Sequence, residues 1–183
     1  MKVLLVRHPQ LQIAPGICYG RRLDIPLTPE GLETAIRLSA DPIFADAAHI
    51  WSSPARRCRE VSDRVAATNA APLTVDPRLH ELDFGEWEGR SWDEIGKEAL
   101  DAWAAAPETY RPPGGESATE LLDRVRSFHA QIVGRGEDCA VVSHGGPLRI
   151  LGAMLRGQPI DFASSTQHAM GTVVAVETAK VPA

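Results

Sequence analysis

Two histidines, each standing directly after a short apolar run, are the residues of this chain best suited to do chemistry. His8 follows Val3-Leu4-Leu5-Val6 and Arg7; His144 follows Ala140-Val141-Val142-Ser143 and precedes Gly145 and Gly146. An imidazole can serve as nucleophile, as acid or base, or as donor to an anion. Runs this short and β-branched read as buried strands, and the Pro or Gly that follows reads as a turn. Ligands of open α/β sheets bind at the carboxyl ends of the strands, so both rings are expected on one functional edge. His49, His80, His129 and His168 share no such placement.

Arginines accompany them. Arg7 puts a permanent cation beside His8, and Arg56 and Arg57 fall in the first turn of a helix expected after Ser53. The guanidinium fork suits phosphate oxygens, and a helix start adds backbone N–H groups and a favourable dipole. These parts describe a phosphoryl-binding cup. A metal held by His8 and His144 is the competing reading. It lacks a third ligand at recognisable spacing, and the arginines would repel a cation, so neither metal nor cofactor is expected. A carboxylate is available from His80-Glu81-Leu82-Asp83-Phe84-Gly85-Glu86-Trp87-Glu88-Gly89, too acidic and Gly-rich for a core element. A carboxyl in such a partly apolar loop, approached by a phosphate dianion, holds its proton more tightly, as a proton donor should. The residues alone leave Glu81, Asp83, Glu86 and Glu88 open.

The elements that must position these groups alternate along the chain. After the first strand, Thr28-Pro29 caps and opens a helix with Leu32, Ala35 and Ile36 on one face. His49-Ile50-Trp51-Ser52 reads as a strand, followed by a helix striped with Ala55, Cys58, Val61, Val65 and Ala66. Pro72 to Val75 is a short strand. Ser91-Trp92-Asp93-Glu94 and Ser117-Ala118-Thr119-Glu120 are capping boxes, each predicting a helix. The second carries Leu121, Leu122, Val125, Phe128 and Ile132. Leu148 to Leu155 predicts a buried helix, and Gly171 to Val176 closes the sheet. The expectation is one α/β domain over residues 1–183: a three-layer sandwich with a mostly parallel central sheet and helices on both faces.

Composition sets the outer bounds. With 24 acidic and 19 basic side chains over 183 residues the net charge is −5, which gives no electrostatic case for nucleic-acid binding. Arginine is still locally dense at Arg21, Arg22, Arg56, Arg57, Arg59 and Arg64, compatible with a small anionic ligand. No long apolar stretch suggests a membrane span, and strand-like sequence begins directly after Met1-Lys2. Cys18, Cys58 and Cys139 are odd in number and far apart, which fits neither disulfides nor zinc and points to a reducing cytoplasm.

The segments LLVRHP, WSSPARRCRE, HELDFGEWEG, PPGGES and VVSHGGPLR, in this order and spacing, resemble the histidine phosphatase superfamily, whose fold is that of phosphoglycerate mutase. The resemblance runs from Met1 to about Leu155. It implies metal-independent transfer through a covalent phosphohistidine on a small-molecule phosphate ester. Carried onto this sequence, it makes His8 the nucleophile, with Pro9 replacing the common Gly after Arg7-His8. The second arginine, counted from Ser52, is Arg57 rather than Arg56. His144 is the second histidine and Glu81 the proton donor. Arg7, Arg57, His144 and Gly145 would hold the phosphoryl group with His8. The stretch Gly16-Ile17-Cys18-Tyr19-Gly20-Arg21-Arg22-Leu23-Asp24-Ile25-Pro26-Leu27 is similar to the corresponding segment of bacterial α-ribazole phosphatases, implying α-ribazole 5′-phosphate, a cobalamin precursor, as substrate. Another small-molecule phosphatase or a mutase of the same fold is the alternative, although Leu11 and Ile13 stand where mutases carry polar residues. An inactive phospho-ligand binding module is the remote one.

Overall fold

The computed structural model describes residues 1–162 and 168–178. Strands β1 (Lys2–Arg7), β2 (His49–Ser52), β3 (Leu73–Val75), β4 (Cys139–Ser143) and β5 (Val173–Glu177) form one sheet in the order β3-β2-β4-β1-β5. All neighbouring pairs are parallel except β1 with β5, which runs antiparallel at the edge.

The inner strands β1, β2 and β4 are buried on both faces, and their side chains divide by parity. Val3, Leu5, Trp51 and Val141 face one core with Leu121, Val125, Phe128 and Ile132 of α5 (Ala118–Arg135) and Leu148, Ile150 and Leu151 of α6 (Gly145–Leu155). Leu4, Val6, Ile50, Ala140 and Val142 face the other, with Ala35 of α1 (Pro29–Ser39) and Cys58, Val61 and Val65 of α2 (Arg56–Asn69). The expected three layers are therefore present.

Two elements differ from the sequence reading. On α1 the buried residues are Gly31, Ala35 and Ser39, while Ile36 is 55% exposed. The helix lies so close to the chain before it that a Cβ on Gly31 would come within 2.6 Å of the Gln10 carbonyl oxygen. Small residues define that face, and Ile36, about 100° around the helix from Ala35, points away from it. The capping box at Ser91 opens only one turn, α3 (Trp92–Ile95). Gly96, at φ 87, breaks it, and α4 (Lys97–Ala105) starts afresh. No helix among the described residues is long and apolar enough to cross a membrane.

Candidate active site

Register brings the two histidines together. In the parallel β1–β4 pair Arg7 lies opposite Ser143, so the next residues, His8 and His144, leave the sheet side by side. Their rings meet edge to face at 5.2 Å between centroids. Ser52 pairs with Val142 across β2–β4, which sets Ser53 and the start of α2 at the same edge. His8 is 1% exposed. Its Nδ1 lies 2.8 Å from the Pro9 carbonyl oxygen; because a carbonyl only accepts, Nδ1 carries the proton and Nε2 keeps its lone pair. Burial pushes the His8 pKa down to about 3, against the Pro9 hydrogen bond and helped by the charges of Arg57 and Arg7. The ring is neutral at pH 7, the form a nucleophile needs.

Arg57 is the largest fully buried side chain. Its Nη1 and Nη2 donate to the carbonyls of Leu23 at 2.9 Å and Gly20 at 2.7 Å, and its Nε donates to His144 Nδ1 at 3.2 Å. A guanidinium only donates, so Nδ1 of His144 accepts. The Nε2 proton of His144 therefore faces Ser53 Oγ, 2.8 Å away. Burial first, then Arg57 and His8, hold His144 well below the ordinary histidine pKa. Among the described residues no carboxylate forms an ion pair with Arg57. Three of its five N–H groups bond to neutral partners while its charge is uncompensated, which leaves a buried positive potential beside two neutral imidazoles. Arg56, in contrast, is exposed and pairs with Glu60 at 2.8 Å.

The loop carboxylates separate by location. Asp83 binds Arg22 at 2.7 Å and the Gly85 amide at 2.8 Å. Glu88 accepts from the amides of Arg22, Leu23 and Phe84, and Glu86 is exposed. Glu81 alone of the four lines the main cleft, with Arg7 and Gly146. Its Oε2 accepts from the Gly146 amide in the first turn of α6 at 3.3 Å, and its Oε1 from the Leu82 amide at 3.0 Å. A Cβ on Gly146 would come within 2.4 Å of Glu81 Oε1, so the absence of a side chain there admits the carboxylate. Gly145, between His144 and Gly146, is buried as the first residue of α6. Arg7 is half-buried and donates from Nη1 to the His168 carbonyl at 2.7 Å.

The cleft measures about 510 Å³, and away from Arg7 and Glu81 its wall is largely aromatic and aliphatic: Tyr19, Phe84, Trp92, Trp103, Leu121 and Phe162. Trp92 and Trp103 stack at 6.2 Å with 9° between planes, and Phe84 meets each of them edge-on. Arg149 of α6 also lines this space. Sequence reasoning missed this wall because Trp92 was read only as part of a helix start and Trp103 belongs to a helix it did not anticipate. It also missed Ser53 as the partner of His144, although Ser53 directly precedes the arginine-bearing helix. By sequence the stretch from Asp161 to Gly171 reads as lining the pocket or capping the fold; of it, residues 163–167 lie outside the described residues.

The chain is similar to known proteins over nearly its whole length. Residues 3–181 match the family model of the histidine phosphatase superfamily (branch 1). A protein of Hydrogenobacter thermophilus named as a phosphoserine phosphatase is 32% identical over 160 residues, covering 85% of this chain and 79% of its own. A probable phosphoglycerate mutase of Salmonella paratyphi C is 32% identical over 165 residues, covering 87% and 76%. The α-ribazole phosphatase of Shigella flexneri superposes with a TM-score of 0.87 at 26% identity, covering 97% of this chain and 90% of that one. Paired histidines at one sheet edge, a phosphoglycerate-mutase-like fold and a family match across nearly the whole length lead to one conclusion: this chain is an enzyme of the histidine phosphatase superfamily, branch 1.

Proposed function

We propose that the enzyme is a metal-independent phosphomonoesterase that works through a phosphohistidine on His8. The observation that carries this is Arg57, a buried cation that pairs with no carboxylate among the described residues and bonds the neutral His144, whose ring meets that of His8; a phosphate dianion there supplies the missing charge. The His8 Nε2 lone pair attacks phosphorus and the ester P–O bond breaks. The leaving oxygen takes the proton of the Glu81 carboxyl. The Glu81 carboxylate then takes a proton from water, whose oxygen attacks the phosphohistidine. The P–N bond breaks and inorganic phosphate leaves with His8 neutral again. Arg7, Arg57, His144 and the amide of Gly145 face the transferring phosphoryl oxygens, each such donor worth roughly 3–4 kcal/mol in the transition state. A cytoplasmic location belongs to the same proposal and rests on three buried free thiols, Cys18, Cys58 and Cys139.

For the substrate we propose α-ribazole 5′-phosphate. The segment from Gly16 to Leu27, the Shigella flexneri neighbour and a cleft walled by Trp92, Trp103 and Phe162 all support a leaving group that carries a flat aromatic ring. A compact acid such as phosphoglycerate is the second reading, favoured by Arg149 on the same wall and by the mutase among the relatives.

The test is kcat/KM for α-ribazole 5′-phosphate, 3-phosphoglycerate and an aryl phosphate, with acid-quenched trapping of labelled phosphate on the wild type and on His8→Ala. A label lost in His8→Ala and a preference of about 100-fold for α-ribazole 5′-phosphate (~2.7 kcal/mol) bear the proposal out. Flat rates with a trapped label refute the substrate alone. Transfer between glyceric acids identifies a mutase. No label and no turnover identify a binding module.

A further inference from the structure

The segment Pro112-Pro113-Gly114-Gly115-Glu116-Ser117 takes no part in the chemistry above, yet it is tied closely to the loop that carries Glu81. The Glu116 amide donates to the Asp83 carbonyl at 2.8 Å, and the Glu86 amide donates to the Pro113 carbonyl at 2.9 Å. A Cβ on Gly115 would come within 2.4 Å of the Asp83 carbonyl oxygen, and one on Gly85 within 2.1 Å of that of Pro113. These two backbones touch with no room for side chains.

The Glu116 carboxylate then meets Arg124 of α5 through two bonds, Nε to Oε1 at 2.7 Å and Nη2 to Oε2 at 2.9 Å. Both side chains are about one-seventh exposed, at 14% and 13%. Having oriented the guanidinium, the pair leaves donors over. Nη1 reaches the carbonyls of Arg78 and His80, each at 2.6 Å, and Nη2 reaches the carbonyl of Glu81 at 3.0 Å. Three carbonyls of the strand-free stretch ending in Glu81 are therefore anchored on one guanidinium. The Glu81 carboxyl needs that anchor. Its own contacts are two amides at 3.0 and 3.3 Å, and residues 81–84 belong to neither helix nor strand.

We infer that Arg124 and Glu116 are positioning residues that fix the backbone of Glu81 and so aim its carboxyl at the leaving oxygen. The inference rests on the reading of Glu81 as acid and base. It gives the PPGGES segment a task in the reaction. Lysine at position 124 is no substitute, because a point ammonium cannot grip a carboxylate bidentately and reach three carbonyls from one plane.

The test separates aim from stability. Pre-steady-state release of the first product is measured for an alkyl and for an aryl phosphate in Arg124→Lys, Arg124→Met, Glu116→Gln and the control Glu81→Gln, with Tm for each. An aryl leaving group hardly needs a proton, so only the alkyl reaction reports the aim of the acid. We expect alkyl release to fall about tenfold or more in the position-124 and position-116 variants while aryl release stays within about threefold. We also expect phosphohistidine to accumulate, since the same carboxylate must activate water. Equal slowing of both esters, or a lowered Tm with unchanged rates, overturns the inference and leaves the pair a structural clamp. If Glu81→Gln itself slows both esters equally, the acid assignment fails and the inference falls with it. Selectivity lost in Glu81→Gln but kept in the other variants overturns the positioning role alone. Should Arg124→Met fail to fold, Glu116→Gln and Arg124→Lys carry the same readout.

Discussion

His8 is neutral in the folded enzyme because it is buried, and that has a consequence for stability. Its folded pKa is lowered to about 3 from an ordinary value of 6.5. As pH falls below 6.5 the unfolded chain takes up a proton at this residue and the native state does not. Stability is therefore complete above about pH 6.5 and declines as pH falls toward 3, by up to ~1.4 kcal/mol per pH unit for this residue. In His8→Asn that share of the slope vanishes. Between pH 7 and 4.5, urea unfolding of the wild type should lose about 2 kcal/mol more than unfolding of the variant. Parallel losses would mean that His8 is already protonated in the fold. His144, also depressed, keeps a slope of the same sign in both proteins. The identity of the two histidines was legible from their place after strand-like runs. Their protonation was not, since it depends on the Pro9 carbonyl, on Arg57 and on burial, none of which a spacing encodes.

Among the elements, one sequence signature carries two different weights. Ser91 and Ser117 both head capping boxes in which the serine accepts the N3 amide and the N3 glutamate returns to the N-cap amide. The box at Ser117 starts eighteen residues of α5, whose Leu121, Val125, Phe128 and Ile132 cover one face of the sheet. The box at Ser91 starts four residues that end at Gly96. Ser117→Ala should cost about 1 kcal/mol, a fall of roughly 2–4 °C in Tm, and Ser91→Ala well under half of that. Equal losses would show that the single turn of α3 is as firmly built into the core as α5. Capping residues announce where a helix begins, and both starts were readable. Length was not, because Gly96 adopts a positive φ that a periodicity scan passes over, and α4 opens with no cap side chain. Ile36 failed for a related reason: apolar spacing marks a face, but close approach at Gly31 selected the face of small residues.

Across the whole molecule the site has two origins, and they differ in how visible they are from sequence. Arg7, His8, Ser53, Arg57 and His144 are set by the ends of β1, β2 and β4, so strand positions alone bring them near one edge. The cleft wall comes instead from segments far apart in sequence: Ile17 and Tyr19 before α1, Phe84 to Pro107 between β3 and α5, and Phe162 after α6. No local pattern marks these residues as neighbours. Their selectivity is accordingly a property of the assembled fold, and it is separable from the cup. Trp103 stacks on Trp92 and touches neither His8 nor Arg57, so shortening it removes wall without removing charge. Trp103→Leu should lower kcat/KM for α-ribazole 5′-phosphate about tenfold or more, mainly through KM, because a flat ring loses a stacking surface worth ~1 kcal/mol beyond its lost contact area. The rate on a compact alkyl phosphate and the affinity for inorganic phosphate should stay within about twofold, since neither ligand reaches the wall. A loss shared by all three ligands would assign Trp103 to holding the loop around Phe84, with which it packs edge-on at 5.8 Å, and would return the choice of leaving group to Arg149.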